Sequence, residues 1–252
     1  MWLILLIWFI TIFIATFFIS QYIKTQQKED VAIAFYVLFI TISQIIAAKI
    51  GDFSIGALQI TAPVAVLIFP FTFQITDMVN ENFGQRRTHR MIFIAFVTQI
   101  LMATFLWFSI EIIPAPFWGG DPITAQQYWV SFLGSTLRIT AASWVAFIIT
   151  ENLDALLYAK FKKLTKNRFL WFRNVFSDIP TLALDSLIFI SIAFLGDYPL
   201  ALVGEMILGQ ILTKWFFGVI DTPFMYISRG IISGKIRILG HLFDKNKIAD
   251  KI

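Results

Sequence analysis

The residues of this sequence with chemistry to do are ionisable side chains set inside long apolar runs. Asp77, Arg138, Glu151, Asp154, Asp185 and Lys214 all lie in such runs, and Glu205 and Asp221 flank Lys214 in the last of them. A charge near the centre of a bilayer costs at least ~2.5 kcal/mol on insertion scales, so each needs a partner or a purpose. Amides and hydroxyls share the same runs: Gln44, Gln74, Asn152, Asn174 and Ser177. Carboxylates and amides together can grip the donor and acceptor edge of a planar heterocycle. Phe69, Phe71, Phe73 and Trp144 could stack on its faces, although with 28 Phe in the chain most aromatics simply meet lipid or core. The plainer account of the charges is structural, with Arg138 or Lys214 neutralising Asp185 or Asp77 and locking the helices together. It explains the whole set less well, because apolar pairs would assemble a bundle without the insertion cost. Asp185 and Asp77 are therefore expected to line one central cavity, with Arg138 or Lys214 nearby. Glu151, Asp154 and Asp221 carry a weaker claim, since each falls toward the headgroup end of its run.

The elements that must position these groups are transmembrane helices. Of 252 residues, 58% are hydrophobic and 14% charged, with a mean hydropathy of +0.77; soluble domains are nearer a quarter charged. About 20 apolar residues cross a hydrocarbon core of ~30 Å. Runs of that order predict an all-α, polytopic bundle with helices over 2–22, 31–50, 62–80, 91–113, 128–158, 173–195 and 200–228. Residues 1–22 read as a true first helix rather than a cleaved signal, because no basic segment precedes the run and no small-residue cleavage pattern follows it. Between the second and third helices, Gly51, Gly56 and Pro63 mark an apolar but helix-unfriendly stretch, 51–61, that could dip back into the membrane. Such backbone is tolerated only when protein or a wet cavity surrounds it.

Charge gives an orientation. The segments 80–90 and 160–173 and the tail carry most of the Lys and Arg, while 114–128 and 196–199 contain none. The positive-inside bias then sets the basic loops and the C-terminus in the cytoplasm and the N-terminus outside. The expected organisation is an extra N-terminal helix (1–22), a six-helix core (31–228) and a basic cytoplasmic tail (229–252), in a multi-pass protein of the cell membrane.

Several function classes recede. The net charge of +4 is explained by topology, so no nucleic-acid partner is expected. With no cysteine, and with His89 and His241 outside the apolar runs, neither a thiol site nor a buried histidine metal site is expected. Metalloprotease and nucleophile-elbow motifs are absent. An aspartyl dyad from two of Asp77, Asp154 and Asp185 is conceivable, but carboxylates alone argue weakly for an enzyme, and no cofactor or metal is implied.

The stretch Phe69-Pro70-Phe71-Thr72-Phe73-Gln74-Ile75-Thr76-Asp77, followed by Glu81-Asn82-Phe83-Gly84-Gln85-Arg86-Arg87, resembles the signature of the queuosine precursor transporter family, also called vitamin uptake transporters. Further along, Arg138-Ile139 with Ala141-Ala142-Ser143 and Asp154 resembles the family's fifth-helix pattern. Arg173-Asn174 with Ser177, Asp185, Phe189 and Gly196 resembles the next, and Lys214 with Thr222-Pro223 and Tyr226 the last. Upstream, Ala47-Ala48-Lys49-Ile50 is similar to the segment after the family's first core helix. Gln44, Glu151 and Leu182 depart from it, where relatives usually carry Asn, an amide and a polar residue.

The resemblance implies a secondary transporter that imports 7-deazaguanine bases, precursors of modified tRNA nucleosides, with ion coupling through one of the carboxylates. The substrate-binding residues it implies are Gln44, Gln74, Asp77, Arg138, Asp154, Asn174, Ser177, Asp185 and Lys214, with Asp185 leading. The family is similar in plan to substrate-binding subunits of energy-coupling-factor vitamin transporters. Such a subunit is therefore the alternative, and a non-transporting scaffold is a third. The implied partners are a planar base and the lipid membrane, with a homodimer left open.

Overall fold

The computed structural model describes residues 2–55, 58–166 and 168–236. Gly56, the tail beyond 236 and the side chain of Asp221 lie outside the described residues. Seven α-helices are present among them: α1 (Trp2–Gln26), α2 (Asp30–Ile46), α3 (Phe69–Phe83), α4 (Gln85–Glu111), α5 (Pro122–Leu164), α6 (Leu170–Phe194) and α7 (Leu200–Ile232). Five of them, α1 and α4 to α7, are long and apolar enough to cross a membrane, and α2 is a shorter apolar helix of 17 residues. The protein is an all-α polytopic membrane bundle with almost no sheet.

The region between α2 and α3 departs from expectation. The helix expected over 31–50 stops at Ile46, and 62–80 is not one helix. Instead β1 (Ile50–Ile55) and β2 (Leu58–Pro63) pair antiparallel, with Ile50 opposite Pro63 and Ile55 opposite Leu58. A single 3₁₀ turn, Val64–Leu67, then leads into α3. Pairing satisfies strand backbone groups internally, which is what irregular chain near lipid requires. Pro63 caps the 3₁₀ turn. Pro70 opens α3, where its missing N–H costs nothing and its fixed φ suits a helix start.

With 15 residues, α3 spans only about 22 Å at 1.5 Å per residue. The hairpin and the turn occupy the rest of that column. The indole Nε1 of Trp8 on α1 donates to the Leu67 carbonyl, tying the turn to the first helix. Gly84, at φ 82° and ψ 167°, breaks the chain between α3 and α4. Only glycine takes that conformation without strain, so α4 starts at Gln85 rather than 91. Likewise α5 starts at Pro122 rather than 128, because the Asp121 carboxylate accepts the backbone N–H groups of Ile123 and Thr124 as an N-cap. Those bonds, with one from the Thr124 hydroxyl as the largest cause, hold the Asp121 pKa below its ordinary value.

The first helix is not peripheral. Ser20 on α1 donates to Ser228 on α7 at 2.9 Å, and Gln74 on α3 donates to Thr16 at 3.1 Å. Ile12, Ala15, Ile19 and Ile23 of α1 share one buried cluster with residues of α2, α3 and α4.

Candidate transport pathway

A polar column runs between α3, α5 and α6, with α7 closing its upper part. Its positions recur at helical spacing. On α5 they are Ser143, Thr150, Glu151, Asp154 and Tyr158; on α6, Asp185, Thr181, Asp178, Ser177, Asn174 and Arg173; on α3, Thr72, Thr76, Asp77 and Glu81. Apart from Glu81, all are buried. Residues three, four and seven apart share a helix face, so one stripe on each helix looks inward at the other two.

The column has three levels. At the top lies a cavity of about 20 Å³ lined by Ser43, Gln44, Phe69, Ser143, Asp185, Gln210 and Lys214 among others. The Lys214 ammonium donates to Asp185 and sits 4.2 Å above the Phe69 ring. The other carboxylate oxygen of Asp185 accepts from Thr150 at 3.3 Å. Gln44 donates to Ser143 at 2.7 Å. Gln210, one turn before Lys214 on α7, has a buried Oε1 with no hydrogen-bond partner among the described residues.

Glu151 occupies the next level, with the hydroxyls of Thr76 and Thr72 at 2.9 and 3.4 Å. Below it, one carboxylate oxygen each from Asp77, Asp154 and Asp178 lie within 4.8 Å of one another. Asn174 donates to Asp178 at 3.0 Å, Ser177 contributes at 3.3 Å, and the Thr181 hydroxyl approaches Asp154 at 3.5 Å. Three carboxylates so close cannot all be ionised without shared protons or a cation, so this is the set able to hold one.

The column ends on an ion-pair knot. Glu81 accepts from Arg173 at 2.6 Å, and Lys162 and Arg229 stand 3.3 and 4.0 Å away. Tyr158 adds a phenol contact to Glu81 at 3.2 Å. Residues of α3, α5, α6 and α7 thus meet at one end of the bundle, next to an open groove of about 540 Å³ lined by Lys162, Lys163 and Lys166. Arg87 pairs with Glu29 at 2.6 Å, so the turn between α1 and α2 joins the same basic end.

Several expected site residues fall elsewhere. Arg138 is not at mid-depth and does not approach Asp77 or Asp185. Its guanidinium pairs with Asp197 and bonds the Leu195 carbonyl in the α6–α7 connection, where both charged side chains are about half exposed. Arg138 lies sixteen residues past the start of α5 at Pro122, and the α6–α7 connection packs beside it at that level. Gln74 faces α1 through Thr16, away from the column. Asp77 is buried but belongs to the lower carboxylate level, so it does not share the cavity of Asp185. Of the four expected aromatics only Phe69 lines the cavity. Phe71 packs on Phe39, Phe73 on Phe69 and Trp144 on Phe96. Gln44, Asp185 and Lys214 share the cavity, while Asp154, Asn174 and Ser177 gather lower down.

Asp178, Ser143 and Gln210 were missed by sequence reasoning. The signal for Asp178 was its helical spacing from Asn174, Thr181 and Asp185. For Gln210 it was the four-residue step to Lys214.

Residues 63–228 match the family described as "Putative vitamin uptake transporter". The chain belongs to this vitamin uptake transporter family. It is also 26% identical, over 174 residues, to a Bacillus subtilis (strain 168) protein called "Probable queuosine precursor transporter". That alignment covers 69% of this chain and 74% of the relative. No solved structure matches. A vitamin uptake transporter with five span-length helices is a multi-pass protein of the cell membrane. The match to the vitamin uptake transporters covers 63–228, so it takes in α3 to α6 and most of α7 with the column residues of α3, α5 and α6, and leaves α1, α2 with Ser43 and Gln44, and most of the hairpin outside.

Proposed function

We propose that this chain imports queuosine precursors, 7-deazaguanine bases, by ion-coupled secondary transport. The observation that carries the reading is the 26% identity to a Bacillus protein called a probable queuosine precursor transporter. The chemistry of the cavity agrees with it. A guanine-like edge presents N–H donors, and Asp185 offers carboxylate oxygens to accept them. Gln210 holds an unused carbonyl oxygen beside it, and Phe69 provides a ring face.

Space and charge then dictate the sequence of events. A cavity of about 20 Å³ has room for roughly one water, so a base enters only when the surrounding helices part. Lys214 holds Asp185 in this closed arrangement, and an entering base competes with it. Ion coupling is supported by the charge balance. Asp77, Glu151, Asp154, Asp178 and Asp185 are buried in the column. Among the described residues Lys214 is the one buried cation beside them, because Arg173 is held by Glu81. The basic end, with the C-terminus, is read as cytoplasmic.

Purified protein in liposomes should accumulate a labelled 7-deazaguanine base without ATP when an ion gradient is imposed. Binding without movement would favour the energy-coupling-factor subunit, and neither would leave a scaffold.

A further inference from the structure

Glu151 is fully buried at the level just below the cavity, and no basic side chain among the described residues stands within ion-pair distance of it. Its surroundings come from five helices: the Tyr36 phenol of α2, Thr72 and Thr76 of α3, Asp154 of α5 itself, Asp185 of α6 and Lys214 of α7. Two of these neighbours are carboxylates, and the ammonium of Lys214 is committed to Asp185. An ionised carboxylate here would be a buried charge without a counter-ion, which low-dielectric surroundings penalise heavily.

The hydroxyls point the same way. A threonine has one O–H hydrogen to give. Thr72 stands 2.6 Å from the Phe69 carbonyl and 3.4 Å from Glu151, and Thr76 stands 3.1 Å from the Thr72 carbonyl and 2.9 Å from Glu151. Carbonyl oxygens cannot donate. When each hydroxyl satisfies its carbonyl, the shorter contact, with Thr76, is completed if Glu151 supplies the hydrogen. Lys214, Asp185 and Glu151 taken together are neutral with one proton aboard and carry a net negative charge without it.

We propose that Glu151 is protonated whenever the column is closed as here, so that the bundle closes only with that proton aboard. The proton is exchanged with water when either end of the column opens; no covalent bond other than O–H is made or broken. Asp185 is excused because Lys214 neutralises it, and Asp178 in the lower set accepts an N–H from the Asn174 amide.

This inference rests on the transport reading, and Glu151→Gln tests it, because the amide keeps the shape and the donor of a protonated carboxyl. In proteoliposomes the variant should lose the slowing of 7-deazaguanine base exchange that rising pH on both sides imposes on the wild type. It should keep exchange of internal for external base, at a rate that no longer changes with pH. Exchange with the wild-type pH profile would overturn the assignment and shift the role to the lower carboxylates. Infrared difference spectra of the substrate-free proteins give a second reading. A protonated-carboxyl band present in wild type should be missing from Glu151→Gln, and identical spectra would likewise overturn it. If the wild type moves no deazaguanine base, the substrate reading fails, while the infrared comparison still decides whether Glu151 holds the proton.

Discussion

Asp185 and Lys214 form a buried pair, and that changes what mutation of either would mean. Asp185→Asn removes the partner of a buried ammonium, and breaking such a pair costs about 3–5 kcal/mol. The single variant should therefore lower the melting temperature as well as weaken base binding. Asp185→Asn with Lys214→Met removes both charges and should regain most of the lost stability without regaining affinity. A thermal-shift series beside a binding titration separates the two effects. If the double variant binds like wild type, Asp185 is purely structural. Arg138 makes the opposite case. It pairs with Asp197 of the α6–α7 connection, with both side chains about half exposed, and an exposed ion pair is worth about 0–1 kcal/mol. Arg138→Ala should leave the affinity for base unchanged in the same titration. These charged residues were legible in the sequence because charges stand out in an apolar run. Lys214 was among the partners the sequence offered for Asp185, and the structure pairs them. The partner of Arg138 was not legible, because Asp197 stands in a connection outside the apolar runs.

At the scale of elements, long apolar helices announced themselves and the short ones did not. Periodicity carried α1 and α4 to α7 because each holds a span-length apolar window. The α2–α3 region is apolar too, yet it folds into a hairpin, a 3₁₀ turn and a half-length helix. Composition alone does not separate those from a continuous span. Proline and glycine were the usable signals: Pro63, Pro70 and Gly84 each stand at an element boundary. Gly84 is the sharpest of them. Its backbone lies in a region open essentially to glycine, and no heavy atom stands near an added Cβ, so substitution costs strain rather than a clash. Gly84→Ala should destabilise the protein by ~1–3 kcal/mol with no steric rescue by neighbouring truncations. Unfolding monitored in mild detergent would register it.

For the molecule as a whole, the ion pairs around Glu81 gather residues 81, 162, 173 and 229 at one end. Residues of the segments 80–90 and 160–173 thus lie at one end of the bundle with the end of α7, as a shared side requires. Cysteines introduced at Gln85 and Lys166 should react only with permeant reagents in intact cells, and one at Phe117 should react with impermeant ones. Labelling of Lys166→Cys from outside would reverse the orientation. Helix number was readable from sequence because the bilayer imposes it on composition. The polar column was only partly readable. Its three levels depend on how α3, α5 and α6 are rotated against one another, and a single chain does not report that rotation.

The meeting of Glu81 with three later helices also bears on how the protein is made. A segment of 15 residues that includes Gln74, Asp77, Asn80, Glu81 and Asn82 is a poor substrate for insertion on its own, since central carboxylates cost ~2.5–3.5 kcal/mol each on translocon scales. Its partners Tyr158, Arg173 and Arg229 are synthesised roughly 80 to 150 residues later, many seconds behind at ordinary elongation rates. Such a helix should wait at the translocon or the interface until α5, α6 and α7 arrive. A ribosome-bound chain truncated within α4 should leave a cysteine at Asp77 open to aqueous reagents, and the full-length chain should close it. Assembly of this bundle then finishes from its C-terminal end inward, with the carboxylate-bearing helix admitted last.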